Sequence, residues 1–271
     1  VKVNRSSLEH DRRDRLFITI TPDELPESPT LLLFLHGSMQ SSNVARNFTG
    51  HTFEGLVDKH GIILCYPDGV NHHFNDARRD LTEDTRWMRI DDVDFLKQLI
   101  ASLRDEYQVS RVIAAGYSNG GQMVTRLLHD APGTVQGAAL FAAPVPTEKN
   151  MLSTTDGWVP TPIVMLHGTA DEMVPYDGGQ AGFEGNSRGD VRSAKESLEY
   201  YAALNGSADF EELSPFESVT VDRYTGGATT ELWTVEGMGH LVPSSKKLDS
   251  RVGPGTELFT GGELVEDFFE L

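Results

Sequence analysis

From Leu31 onward, short apolar runs alternate with amphipathic stretches, the pattern expected when strands and helices take turns in a layered α/β fold. Five runs are apolar almost throughout and bounded by Gly, Pro or polar turns: Leu31 to Leu35, Ile62 to Tyr66, Arg111 to Ala115, Gly137 to Phe141 and Ile163 to Leu166. Strands of a parallel sheet covered on both faces have this composition. Leu16 to Ile20, Ser218 to Tyr224 and Thr230 to Val235 alternate apolar with polar residues and are expected nearer the sheet edges. Ile90, Val93, Leu96, Leu99, Ile100, Leu103 and Tyr107 recur at helical spacing, as do Val191, Ala194, Leu198, Tyr201 and Leu204. A last helix is expected around Leu264, Val265, Phe268 and Phe269. Asp177 to Gly189, rich in glycine and polar residues, reads as a surface loop beside whatever site the sheet builds. With no internal repeat or low-complexity stretch, one domain over residues 1–271 is the simplest organisation.

Composition narrows the function classes. The chain has 271 residues and a formal net charge of −18, which disfavours phosphate backbones and anionic lipid as partners. Neither nucleic acid nor a membrane is expected. Cys65 stands alone, so no disulfide framework can form within the chain. No apolar run approaches the roughly 20 residues of a membrane span, and the first residues are polar rather than signal-like. A cytoplasmic location is the resulting expectation; oligomeric state is not legible.

The most specific signal is Gly116-Tyr117-Ser118-Asn119-Gly120-Gly121, a GxSxG pattern between the run ending at Ala115 and a helical stretch bearing Met123, Val124, Leu127 and Leu128. Such a turn holds a serine in strained geometry at a strand's C-terminal end, and its neighbours two positions away must be small. A helix starting just after Ser118 also points free backbone N–H groups at any anion formed there. A serine hydroxyl needs a base, and the base needs an acid to fix its tautomer. Downstream, Ile163 to Leu166 leads into His167-Gly168-Thr169-Ala170-Asp171, and Thr230 to Val235 leads into Glu236-Gly237-Met238-Gly239-His240. Both loops are expected at the sheet edge that carries Ser118, where open α/β sheets build sites. The candidate catalytic set is therefore Ser118, Asp171 and His240, with Glu172 and Asp177 as nearby rivals for the acid, and two glycines giving the His240 loop freedom to swing. The order Ser, Asp, His is that of the α/β-hydrolase fold.

The oxyanion of a tetrahedral intermediate needs backbone donors. Asn119, after the nucleophile, supplies one; Ser38, in Leu35-His36-Gly37-Ser38, supplies the second, with Met39 as the alternative. The Ser38 side chain is not required. His36 and His167 are expected to support turns. His72 and His73 lack the spacing of a zinc site, and no metal is assigned. Asn75, Asp76 and Arg78 are expected to organise the loop before the helix near Ile90, as helix-start charges usually cap or face solvent. Asp91, Asp92 and Asp94 fit a first helical turn. Trp87, Tyr117, Phe141 and Tyr176 are candidates for an acyl pocket, Tyr117 foremost because it adjoins the nucleophile.

Together these segments resemble the polyhydroxybutyrate-depolymerase and feruloyl-esterase-like branch of the α/β hydrolases. The resemblance is carried by Leu35-His36-Gly37-Ser38-Met39-Gln40, Phe74-Asn75-Asp76-Ala77-Arg78, Asp91-Asp92-Val93-Asp94-Phe95-Leu96, the Ser118 turn, His167 to Asp171 with Val174-Pro175-Tyr176, and Gly237-Met238-Gly239-His240. It implies an α/β-hydrolase fold, a mostly parallel central sheet with helices on both faces, and carboxylic-ester hydrolysis through an acyl-enzyme without a cofactor. Where the family commonly shows GHxWP, this chain has His240-Leu241-Val242-Pro243, and it has Ser38 where many relatives have cysteine. The expected substrates are small soluble esters of short acyl, hydroxyalkanoate or hydroxycinnamoyl type. A peptidase or thioesterase with the same three residues, or a non-catalytic ligand-binding scaffold, are the alternatives.

Overall fold

Backbone N–H and C=O groups buried between helices must find partners sideways, and the apolar runs do so as neighbouring strands of one sheet. The computed structural model describes residues 1–183 and 185–271. The strands are β1 (Lys2–His10), β2 (Arg13–Thr21), β3 (Thr30–Leu35), β4 (Ile63–Pro67), β5 (Arg111–Tyr117), β6 (Gly137–Phe141), β7 (Ile163–Gly168), β8 (Gly179–Phe183), β9 (Asn186–Val191), β10 (Asp209–Phe216), β11 (Val219–Thr225) and β12 (Thr230–Val235). The helices are α1 (Ser42–Phe48), α2 (Gly55–His60), α3 (Asp84–Trp87), α4 (Asp92–Tyr107), α5 (Asn119–Asp130), α6 (Ala194–Leu204) and α7 (Gly261–Phe269).

Ten strands form one sheet in the order β1-β2-β4-β3-β5-β6-β7-β12-β11-β10. Pairing is parallel from β4 through β12 and antiparallel outside that block. Alternation along the strands splits the core in two. Leu32, Phe34, Ile113, Ala115, Ala139 and Phe141 face one side with residues of α2 and α7, whereas Leu31, Leu33, Leu35, Val112, Ala114 and Leu140 face the other with residues of α4, α5 and α6. Helices thus cover both faces of a mostly parallel sheet. The chain moves outward from β3 to β4 on one side and from β5 to β6 and β7 on the other, so the order reverses between β3 and β5. The C-terminal ends of strands at such a reversal open into a crevice.

The five apolar runs match β3, β4, β5, β6 and β7, and the helices near Ile90, Val191 and Leu264 correspond to α4, α6 and α7. Leu16 to Ile20, Ser218 to Tyr224 and Thr230–Val235 correspond to β2, β11 and β12, the second strand from one edge and the second and third from the other. Two expectations need correction. Val191 ends β9 rather than starting a helix, and α6 begins at Ala194 behind a capping box of Ser193 and Glu196. The presumed loop Asp177 to Gly189 contains the β8–β9 hairpin, whose register shifts between Gln180 and Gly182; Glu184 lies outside the described residues. β1 and β10 were not anticipated. Both are largely exposed edge strands, where polar side chains discourage pairing with other chains and so hide the alternation.

Phe34, 1% exposed, lies in the core on the α2 and α7 face of the sheet, its ring 4.7 Å from that of Phe53, 5.7 Å from Tyr66 and 6.5 Å from Phe141. Phe34→Ala is expected to lower folding stability by about 3–5 kcal/mol in urea denaturation; a loss below about 1 kcal/mol would mean that the cluster closes around the gap.

Candidate active site

The turn from β5 into α5 is built by close backbone approach. A Cβ on Gly116 would lie 2.4 Å from the Gly120 carbonyl oxygen, and one on Gly120 would lie 2.0 Å from that of Leu35. Only glycine fits at either position. Ser118 between them takes φ 51° and ψ −116°, a conformation that costs an L-residue of order 1–3 kcal/mol and is held by the packing around it. The turn lifts Ser118 Oγ out of the sheet edge, and the imidazole of His240 meets it with Nε2 at 2.9 Å. The other ring nitrogen, Nδ1, lies 2.7 Å from Asp171 Oδ2. A proton on Nδ1, donated to the carboxylate, leaves Nε2 free to accept from the serine hydroxyl.

The carboxylate is itself held on all sides. Asp171 Oδ1 accepts from the backbone N–H of Met173 at 2.9 Å and of Val174 at 2.8 Å. His167 Nε2 lies 3.2 Å from Oδ2 and also meets the Val174 carbonyl at 2.8 Å. Burial works against ionisation of Asp171, yet the electrostatic attraction of the His240 ring and the hydrogen bonds from His167 and His240 outweigh it, and the pKa falls well below the ordinary carboxylate range. Its sequence rivals Glu172 and Asp177 are both exposed. The His240 loop is pinned rather than free to swing, because the tertiary packing uses Gly239 for close contact. A Cβ on Gly239 would lie 2.1 Å from the Val252 carbonyl oxygen, and His240 N–H donates to that same oxygen at 2.6 Å. The His240 carbonyl accepts from Tyr117 Oη at 2.8 Å, and the two rings lie 5.1 Å apart.

Two loops converge on Ser118 from the switch point. Met39 N–H donates to the His72 carbonyl at 2.9 Å. Among the described residues the amides of Ser38 and Asn119 have no protein acceptor, so Ser38 is the available member of the Ser38–Met39 pair. The Asn119 side chain, fully buried, has a different task. Its Oδ1 accepts from Phe74 N–H at 2.8 Å, while its Nδ2 donates to the Phe74 carbonyl at 3.0 Å and to Asp76 Oδ2 at 2.6 Å. Asp76 and Arg78 are 0% and 3% exposed and pair with each other, so they are not solvent-facing charges; the Asn119 clamp needs a buried acceptor. Asp91 does cap α4 by accepting from Asp94 N–H, but Asp92 is buried against Arg15 at 2.6 Å.

A cavity of about 470 Å³ opens over Ser118. Its wall combines Met39, Phe48, Tyr117, Met173, Val174 and Val252 with the polar groups His73, Arg78, Glu83, Asn186 and Arg188. Of the proposed acyl-pocket aromatics only Tyr117 is in this wall. Trp87 is 77% exposed, Phe141 is core, and Tyr176 binds Thr234 Oγ1 and packs edge-on against His167. Phe48, whose ring lies 4.7 Å from that of Tyr117, and Arg188 had no local sequence signal. One lies on the short helix α1, distant in sequence, the other in the β8–β9 hairpin.

His36 supports its turn, as anticipated. Its Nε2 accepts from Gly69 N–H at 2.9 Å, which leaves Nδ1–H to donate to the Gly37 carbonyl at 2.7 Å. Burial, opposed by that backbone bond, lowers its pKa from 6.5 to about 4. Below about pH 6.5 the unfolded chain takes up a proton that the folded protein refuses until about pH 4, so stability falls across that window by up to about 3 kcal/mol. His36→Gln should be less stable at pH 7 but lose about 3 kcal/mol less than the parent between pH 7 and pH 4 in denaturant titrations. Equal losses in the two proteins would assign the acid sensitivity to other groups.

Comparison with known proteins agrees with this architecture. A phospholipase/carboxylesterase family model matches residues 85–185, a stretch that contains Ser118 and Asp171. NocK of Nocardia uniformis subsp. tsuyamanensis, which carries an esterase name, is 30% identical over 171 residues, covering 62% of this chain and 47% of its own. The bifunctional acetylxylan esterase/xylanase XynS20E of Neocallimastix patriciarum is 28% identical over 159 residues, covering 57% of this chain and 21% of its own. The chain thus spans half or less of the length of these curated relatives. Among solved structures, an acetyl xylan esterase from Aspergillus awamori superposes with a TM-score of 0.66 at 13% identity, over 100% of this chain and 99% of that one. Esterase PE8 superposes with a TM-score of 0.56 at 14% identity, over 98% of each chain. The chain has the α/β-hydrolase fold, and its likeness in sequence and in structure falls among esterases of that fold.

Proposed function

We propose that the protein is a serine-dependent carboxylic-ester hydrolase that acts on small soluble esters through an acyl-enzyme, with residues 1–271 working as one α/β-hydrolase domain. The observation that carries this reading is the continuous chain Ser118 Oγ, His240 Nε2, His240 Nδ1 and Asp171 Oδ2, with links of 2.9 and 2.7 Å, at the floor of the cavity. Esterase names among the sequence relatives support it, and the acetyl xylan esterase neighbour suits the feruloyl-esterase-like side of the sequence resemblance.

In the proposed cycle Ser118 Oγ attacks the ester carbonyl carbon while its proton passes to His240 Nε2. The carbonyl oxygen becomes an oxyanion and takes the N–H groups of Ser38 and Asn119, at the positive end of α5. Collapse expels the alcohol, which receives the proton from the imidazolium and leaves an acyl-serine. Water, deprotonated by the same nitrogen, attacks the acyl carbon and releases the acid, returning the proton to Ser118. Asp171 stays ionised throughout and stabilises the imidazolium; its depressed pKa keeps it charged well into the acid range.

Ser118→Ala should lower kcat on a short-chain aryl ester by about a thousandfold or more without shifting the thermal midpoint by more than a few degrees. An organophosphonate should form one covalent adduct on Ser118, read by mass spectrometry of peptides. Undiminished turnover in the alanine variant would sink the proposal. Asp171→Asn, which keeps the shape but permits the wrong tautomer, should lose about a thousandfold or more in kcat.

A further inference from the structure

The polar wall of the cavity contains groups that the proton relay does not use. Arg78 is 3% exposed, and its Nε and Nη2 are occupied by the fully buried carboxylate of Asp76. Arg188, on β9, is 8% exposed; its Nη2 pairs with Glu83, but its Nη1 is buried with no hydrogen-bond partner among the described residues. His73 Nε2, on the same wall, is likewise buried without a hydrogen bond, 3.4 Å from Glu83 Oε2. Arg86, which is not part of the cavity lining, is occupied with the carbonyls of Asp76 and Arg78.

Leaving a buried donor unpaired costs roughly 1–3 kcal/mol, and more when it belongs to a charged group. The fold bears that cost at Arg188 Nη1, in the wall of the cavity over Ser118. Burial first, and the neighbouring Arg78 after it, push the Arg188 pKa down against the pull of Glu83 and Asp76. Of the acceptors an unpaired guanidinium N–H can take, a carboxylate makes the strongest hydrogen bond, and the planar fork matches its shape.

We propose that Arg188 is a specificity-determining residue that binds a free carboxylate on the substrate through Nη1, so that the preferred substrates of the Ser118 site are esters carrying a second, ionised carboxyl group. This deepens the esterase reading and rests on it. The cavity volume of about 470 Å³ accommodates such a molecule, with the reacting carbonyl at Ser118 and the anion at the arginine wall.

The test measures kcat/KM on two matched pairs of soluble esters. In 4-nitrophenyl hydrogen glutarate against 4-nitrophenyl pentanoate the charge lies in the acyl part; in 3-acetoxypropanoate against 3-acetoxypropanamide it lies in the alcohol part. The parent protein should favour the anionic member of at least one pair by about tenfold or more. Arg188→Gln should lower kcat/KM for that member about tenfold more than for its neutral partner, chiefly through KM, and Arg188→Lys should recover part of the difference. Equal rates within both pairs for the parent protein would overturn the proposal even if Arg188→Gln failed to fold. So would a glutamine variant that slows both members of a pair alike, because Arg188 would then be structural. In either case Ser118-dependent turnover of the neutral esters leaves the esterase reading standing; the absence of such turnover on all four compounds would sink both.

Discussion

The site depends on one steric constraint, the approach of the α5 backbone to the end of β3. With no side chain at Gly120, that backbone comes so close to the Leu35 carbonyl that a Cβ would lie 2.0 Å from its oxygen. That contact sets how closely the loops leaving β3 and β5 approach each other. The strained backbone of Ser118 follows from the same packing. Its cost is small beside the burial of apolar side chains on both faces of the sheet, which holds the turn in place.

Around this turn the protein stabilises charge by supplying donors rather than by exposing carboxylates to water. Asp76, fully buried, receives Arg78 and Asn119; Asp171 receives two backbone amides and two imidazoles; Asp92 receives Arg15 and the Asn75 amide. Such networks specify geometry because each member left unpaired would carry a full desolvation penalty. Asn119 shows the economy of the arrangement. Its backbone N–H has no acceptor among the described residues, while its side chain ties α5 to the loop bearing Asp76 and Arg78, so Ser118 and the polar wall of the cavity are positioned through one residue.

Charge is distributed unevenly. The acidic surplus of the whole chain sets up a field that salt screens over about 8–10 Å, whereas the buried guanidiniums act at contact distance in a poorly solvated wall. Chemistry inside the cavity is therefore governed by the local donors and not by the overall net charge. Composition alone disfavours polyanionic partners, but it cannot report the sign of a pocket.

The sequence by itself determined the elements whose signal is local. Continuous apolar runs can only be strands or helices buried on both sides, and a glycine-flanked serine between a strand and a helix has few conformations open to it. Loop carboxylate and imidazole positions after later strands were legible for the same reason, since parallel strands all deliver their following loops to one edge. What lay beyond reach was decided by contacts between distant segments. Polar edge strands β1 and β10 bury little and leave no hydrophobic pattern; Asp76 and Arg78 looked like solvated charges until packing enclosed them; the His240 loop looked free until Val252 pinned it. The cavity wall gathers Phe48, Tyr117 and Arg188 from three separated stretches. No local pattern encodes such a gathering, because a side chain's environment is set by the tertiary neighbours that exclude water from it, and only the folded chain supplies them.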